Sequence, residues 1–214
     1  SKAMNEQHSH DHEHTEPPSS TELRVKSIES LLVEKGLVNS ETIDKIIDTY
    51  ETKVGPNIGK AIIARAWTDP QFKSDLLDKP DIAISAFAEI GGQGEQIRVL
   101  ENTNQVHNLV VCTLCSCYPW PILGLPPVWY KSAPYRSRAV ADPRGVLEQF
   151  GTTIPTNVEI RVWDSTSEMR YLVLPQRPEG TENWTEEQLI ELVSRNSMIG
   201  VEIVNPPTMG TVNE

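Results

Sequence analysis

Between residues 110 and 131 the chain reads V-V-C-T-L-C-S-C-Y-P-W-P-I-L-G-L-P-P-V-W-Y-K, and this stretch holds every cysteine of the protein: Cys112, Cys115 and Cys117. Three thiols within six residues, C-x-x-C-x-C, can converge on one point only if the backbone folds around that point as a claw. Pro119, Pro121, Pro126 and Pro127 follow at once. Each fixes φ and removes an N–H donor, which stiffens the loop beside the claw. A cluster of thiolates on a rigid loop is first of all a metal-site expectation.

Several readings compete for these cysteines. A structural zinc site takes four Cys or His ligands in a tetrahedron, often as paired knuckles. Here there are three cysteines and no second knuckle, so His107, five residues before Cys112, is the candidate fourth ligand of a Cys3His site. A disulfide is disfavoured by the odd count and by the strain of bridging such close neighbours. Three unrelated buried cysteines, each a small hydrophobe, are a further alternative. The last reading uses the backbone. The amide nitrogens of Ser116 and Cys117 lie between the sulfurs. If both amides lose their protons, three sulfurs and two nitrogens form five corners of an octahedron, with one corner open. Amidate nitrogen needs a strongly polarising metal, which points to trivalent iron or cobalt.

The run C-T-L-C-S-C-Y-P-W-P-I-L-G-L-P-P-x-W-Y-K resembles the metal-binding segment of the nitrile hydratase alpha subunit. The likeness continues through Tyr135-Arg136-Ser137-Arg138, Asp142-Pro143-Arg144, Val162-Trp163-Asp164-Ser165 and Arg170-Tyr171, and spans the chain from about Ser20 to Pro206. In that family Thr113 and Tyr118 go with the cobalt-containing branch, while the iron branch usually has Ser at the position of Thr113. The resemblance implies a non-corrin Co(III), one per chain, held by Cys112, Cys115 and Cys117 through sulfur and by Ser116 and Cys117 through backbone nitrogen. It implies that Cys115 is oxidised to a sulfinic acid and Cys117 to a sulfenic acid, with Cys112 left as a thiolate. Added oxygen weakens sulfur donation and leaves the metal more electrophilic. A sulfenic acid is reactive, so it persists only when shielded and hydrogen-bonded. Three anionic sulfurs and two amidates around a trivalent ion give the site a net charge of about −2, and a buried anion of that size needs cationic partners. The resemblance implies that these are arginines of a beta subunit, in an αβ or α2β2 assembly, and that a metallochaperone loads the cobalt.

The implied activity is hydration of a nitrile to an amide, with Cys117, Gln93 and Trp120 as catalytic-site residues. Gln93 would sit beside the metal near substrate or its water. Trp120 would offer an apolar wall. Read from its surroundings alone, Gln93 is equally an ordinary loop residue. The rival with the same claw is a cobalt thiocyanate hydrolase subunit, where the position of Trp120 is expected to be basic to hold an anion. The rival from another class is a structural zinc-binding interaction module with unoxidised cysteines.

The rest of the chain is consistent with a cytoplasmic enzyme subunit. A net charge of −11 over 214 residues argues against a nucleic-acid partner. No apolar run reaches the ~18–20 residues of a membrane span, and no charged-then-apolar signal segment opens the chain. Four of the five histidines, His8, His10, His12 and His14, lie in a polar tract that reads as a disordered tail over residues 1–18 and that could loosely hold a transition metal ion. A Ser-His-Asp triad would have only His107 to draw on.

Residues 19–90 carry helical periodicity, which by itself reads as a small helical bundle; the resemblance favours an arm laid on a partner subunit. Ser19-x-x-Glu22 matches a capping box. Val25, Ile28 and Leu32 form a stripe ending near Gly36. Ser40 opens the next helix, Ile58, Ile62, Ile63 and Ala66 mark a third, and Asp69-Pro70 reads as cap and first residue of a fourth. From 91 to 206 the pattern changes to an α+β catalytic domain, which the resemblance specifies as an α-β-β-α layered fold; residues 207–214 are a tail. Ile97–Leu100 and Asn108–Val111 read as strands leading into the claw. Val158–Trp163 and Arg170–Leu174 read as a hairpin. Pro126-Pro127 and Asp142-Pro143 each start a helix, and Thr185-x-x-Gln188 caps the last. Trp129 and Tyr130 read as packing residues. Arg136, Arg138 and Arg144 are either a solvated helix face or residues of which some compensate the anionic site or bind the partner. Asp164, Glu168 and Arg170 read as a surface turn, with an ion-pair network behind the metal as the alternative.

Overall fold

The structure is a computed structural model that describes residues 20–48, 56–88 and 96–205. Ser1–Ile46 and Ile47–Glu214 form separate compact units. In the first, α1 (Ser20–Glu34) ends where the sequence places its stop: Gly36 takes a φ of 67°, a left-handed position that costs glycine little. The helix α2 (Ser40–Asp48) follows, opening at Ser40 as expected, with Asn39 Oδ1 accepting from the Thr42 amide at 3.1 Å. Leu23, Val25, Ile28 and Leu31 of α1 are all more than half exposed. The Ser19 capping box lies outside the described residues.

The second unit is built on four short strands. β1 (Gln96–Glu101) pairs with β4 (Met169–Leu174), and β2 (Val106–Val111) pairs with β3 (Glu159–Asp164), both in parallel. This corrects the expected hairpin. β3 and β4 follow each other closely in sequence but enter different sheets. Alternating burial is the same for a strand paired in parallel and one paired in a hairpin, so periodicity found the strands without their partners. β2 is buried along nearly its whole length, as expected of a strand covered on both faces.

Helices flank the sheets in the order that gives an α-β-β-α arrangement. The helices α3 (Asn57–Thr68), α4 (Pro70–Asp78) and α5 (Pro80–Ala88) come first. α4 and α5 lie against β1, β2 meets β4, and α8 (Ala133–Ala141) and α9 (Pro143–Gln149) lie against β2 and β3 respectively. Between them, α6 (Trp120–Leu123) and α7 (Val128–Lys131) are single turns placed by the prolines. α10 (Glu186–Leu192) packs on α3, and α11 (Arg195–Ile199) closes over β2 and β4. The expected caps of α4, α9 and α10 are present: Asp69, Asp142 and Thr185 each accept a backbone N–H of the first turn. Helices α3–α5, expected as part of the 19–90 arm, bury Ile62, Ile63, Leu76 and Ile84 in the same core as Leu109, Val111, Leu172 and Leu174. Each such side chain stabilises the fold by about 1.5–3 kcal/mol through burial. Gly59 allows α3 to approach α6 and α11, since a Cβ there would lie 2.7 Å from Leu123 and 2.8 Å from Met198.

Candidate metal centre

The claw begins where β2 ends. Val111 is the last strand residue, its carbonyl accepts from Ser165 N at 2.7 Å, and Cys112 follows at the carboxyl end of a parallel pair, the end where open sheets usually place ligands. Cys112 is fully buried, Cys117 half-buried and Cys115 exposed. Their sulfurs lie within 4.8 Å of one another, with 3.3 Å from Cys112 to Cys115 and 3.1 Å from Cys115 to Cys117. The backbone turns its N–H groups inward. The Cys115 amide donates to the Cys112 sulfur at 3.3 Å, and the amides of Cys117 and Ser116 donate to the Cys115 sulfur. The three sulfurs of the sequence-predicted ligand set are thus brought together.

Three sulfurs without a fourth Cys or His beside them do not complete the four-ligand set of a structural zinc site. His107 is excluded as a fourth ligand. Its Nε2 bonds the Gly200 carbonyl at 2.6 Å and its Nδ1 bonds Asn102 Nδ2 at 3.3 Å. Burial lowers its pKa and keeps the ring neutral, so Nε2 carries the proton and Nδ1 accepts. His107 does not belong to the cysteine cluster.

Four groups outside the claw hold its backbone, and none of their partners in the claw could be read from sequence. Tyr135 donates to the Val110 carbonyl at 2.6 Å and Tyr130 to the Cys117 carbonyl at 2.9 Å, so the claw is pinned just before its first ligand and at its last. Tyr130, expected only to pack, has this second role; burial pushes the hydroxyls of Tyr118, Tyr130 and Tyr135 up, which keeps them protonated and able to donate. Asp164 accepts from Thr113 twice, from the amide at 2.9 Å and the hydroxyl at 2.5 Å. The connection it opens is the expected surface turn, exposed at Asp164 and Glu168, and from there Asp164 also clamps the claw. Arg136 Nη1 lies 3.3 Å from the Leu114 carbonyl oxygen and 3.5 Å from that of Cys115. Of the other basic residues, Arg138 pairs with Asp142 at 3.7 Å, and Arg144 binds the carbonyls of Ile154, Pro155 and Val158, away from the claw.

As thiols, the sulfurs divide their protons unequally. Hydrogen bonds from Cys117 first and Cys112 second draw Cys115 down to about 7. Burial first, then Cys115, pushes Cys117 up to about 12, against the opposing charge of Arg170. Buried donors near the claw remain without a hydrogen-bond partner among the described residues: Tyr118 Oη, Arg136 Nε, and Nε and Nη1 of Arg170. Trp120 heads α6, half-buried against the core three residues after Cys117. Gln93 lies outside the described residues.

A family model described as nitrile hydratase, alpha chain, matches residues 19–202. The low-molecular weight cobalt-containing nitrile hydratase subunit alpha of Rhodococcus rhodochrous is 57% identical over 196 residues, covering 91% of this chain and 95% of that protein. The thiocyanate hydrolase subunit gamma of Thiobacillus thioparus is more distant, at 40% identity over 202 residues, covering 89% and 83%. Among solved structures, a double mutant of the Fe-type nitrile hydratase of Comamonas testosteroni Ni1 superposes with a TM-score of 0.81 at 39% identity, covering 90% of this chain and 94% of that one.

Proposed function

The chain belongs to the nitrile hydratase alpha-chain family, and on that premise we propose that it is the metal-bearing alpha subunit of a cobalt nitrile hydratase, adding water across R–C≡N to give R–C(=O)NH2 with no redox change. The observation that carries the reading is the convergence of three sulfurs and two inward-facing amides at the end of β2. Cys112, Cys115 and Cys117 would hold the metal through sulfur, and Ser116 and Cys117 through backbone nitrogen. Bound there, Co(III) would supply Lewis acidity to polarise a nitrile or activate water. The Thr113 and Tyr118 pair and the 57% identity to a relative named cobalt-containing support cobalt over iron.

The chain's own residues do the holding. Tyr135, Tyr130, Asp164 and Arg136 fix the claw backbone and so hold its donors together. Arg170 brings positive charge to Cys117, the sulfur that would become the sulfenic acid, while Cys115 would become the sulfinic acid. Trp120 would form the apolar wall for the nitrile, and an aromatic residue there favours a neutral substrate over thiocyanate. Gln93 would lie near substrate or its water.

An alpha chain of a multi-subunit family implies a partner subunit. That partner would be a beta subunit, in an αβ or α2β2 assembly. Its arginines would neutralise the oxidised cysteines, and the exposed apolar residues of α1 would pack against it. A metallochaperone would deliver cobalt in the cytoplasm. No helix among the described residues is long and apolar enough to cross a membrane.

Elemental analysis of the complex, purified from cells given both cobalt and iron, tests this reading. About one cobalt per chain, with peptide masses showing oxygen added to Cys115 and Cys117, is the expected result. Stoichiometric zinc on unoxidised cysteines would overturn it. Iron would keep the enzyme class and reverse the reading of Thr113.

A further inference from the structure

The Arg136 contact with the claw has a chemical meaning beyond anchoring. The carbonyl oxygen of Cys115 and the amide nitrogen of Ser116 belong to one peptide group, and Ser116 nitrogen is a ligand under the reading above, on which this inference rests. The guanidinium sits on the oxygen side of that peptide, 3.5 Å from Cys115 O and 3.3 Å from the preceding carbonyl of Leu114. On the nitrogen side the Ser116 N–H is directed at the Cys115 sulfur. A trans peptide places its C=O and N–H on opposite sides, so a cation holding the oxygen outward holds the nitrogen inward.

We propose that Arg136 is the positioning residue for the Cys115–Ser116 peptide, holding its oxygen so that its nitrogen faces the metal and carrying the countercharge when that nitrogen binds as an anion. On binding, the Ser116 N–H proton leaves to water. The pair left by the N–H bond would form the bond to the metal, while the amidate π electrons are shared over N–C–O, so part of the negative charge would reside on the oxygen beside Arg136. Arg136 makes no ion pair among the described residues, so no carboxylate neutralises it there, and its buried Nε has no hydrogen-bond partner. A guanidinium keeps its charge at any working pH, and here one nitrogen, Nη1, faces both carbonyls. The second ligating peptide, Ser116–Cys117, has no such cation among the hydrogen bonds of the described residues. Tyr130 binds the next carbonyl along, that of Cys117. The two amide ligands are therefore unequal, the Ser116 nitrogen being the one supported by charge.

The three cysteines make a direct readout possible. With the cysteine carbonyl carbons isotopically labelled, only Cys115 reports a peptide whose nitrogen is a ligand; Cys112 and Cys117 open onto Thr113 and Tyr118. The cobalt-loaded complex and its R136M and R136K variants would be compared by infrared spectroscopy of the labelled carbonyls, by visible absorption and by cobalt release to a chelator. R136M should release cobalt about 10–100-fold faster and shift the labelled Cys115 band, and R136K should recover part of both effects. If R136M does not assemble, R136Q, neutral but able to donate to the carbonyls, takes its place with the same expectations. A neutral variant with the wild-type band and release rate overturns the proposal. Absence of cobalt from the wild-type complex would instead overturn the functional reading beneath it.

Discussion

Strand β2 carries a polar cluster at each end, and the two are finished differently. At its start, His107, Asn102 and Asn108 form a closed network. Asn102 Oδ1 accepts from the Asn108 amide at 2.8 Å and its side chain at 3.0 Å, Asn108 Oδ1 accepts from Trp163 Nε1 at 2.9 Å, and His107 ties Asn102 to the Gly200 carbonyl. At the other end, the claw is held by its backbone, while its sulfurs converge on one another, and Tyr118 Oη, Arg136 Nε and Nε and Nη1 of Arg170 lack hydrogen-bond partners among the described residues. Buried polar groups left unpaired are costly. A fold retains them where something else completes the set. The satisfied end locks the strand between its neighbours, and the unsatisfied end is a site.

If that comparison is right, changes at the two ends should separate metal from stability. The largest effect expected is from Cys115→Ala, which should abolish both cobalt and turnover while leaving the thermal midpoint of the unloaded chain little changed, since Cys115 is exposed. A C115A complex that still hydrates nitriles would refute the claw mechanism. Next is Gly200→Ala at the closed end. Gly200 has a φ of 93°, and a Cβ there would stand 2.0 Å from the Asn108 carbonyl oxygen. A loss of about 2–4 kcal/mol in denaturant unfolding is expected, with cobalt per folded chain unchanged; a loss of metal without loss of stability would break the comparison.

Tyr130→Phe removes one hydrogen bond to the Cys117 carbonyl but keeps the packed ring. It should cost about 0.5–1.5 kcal/mol and speed cobalt release, which a chelator competition would follow. The smallest effect concerns pH. Burial lowers the pKa of His107 in the folded state, so the unfolded chain takes up a proton first as pH falls. The contribution of neutral His107 is complete above its ordinary value of about 6.5 and is lost as pH falls below it toward the lowered folded value. Urea titrations between about pH 7 and 5 should show stability falling with pH, and His107→Gln should flatten that slope.

The claw was legible because three cysteines in six residues leave few alternatives, and the proline turns and helix caps were legible because Pro, Asp, Thr and Gly act on their own neighbours. Strand positions followed from local alternation in the same way. The pairing of β1 with β4 and of β2 with β3 did not, because a strand's face pattern is the same whichever strand lies beside it. The inclusion of α3–α5 in the core was equally hidden, since a helical stripe shows that a face is buried and leaves open what buries it. The clamps on the claw belong to this second group. Tyr130, Tyr135 and Arg136 reach backbone carbonyls, which every residue offers alike, so no sequence marks the acceptor. The sequence by itself determined which atoms can bind the metal, because ligand chemistry is a property of residue type and close spacing. Only the tertiary structure decided how those atoms are held and which peptide a cation supports, because distance between residues far apart in the chain exists only once the strands have chosen their partners.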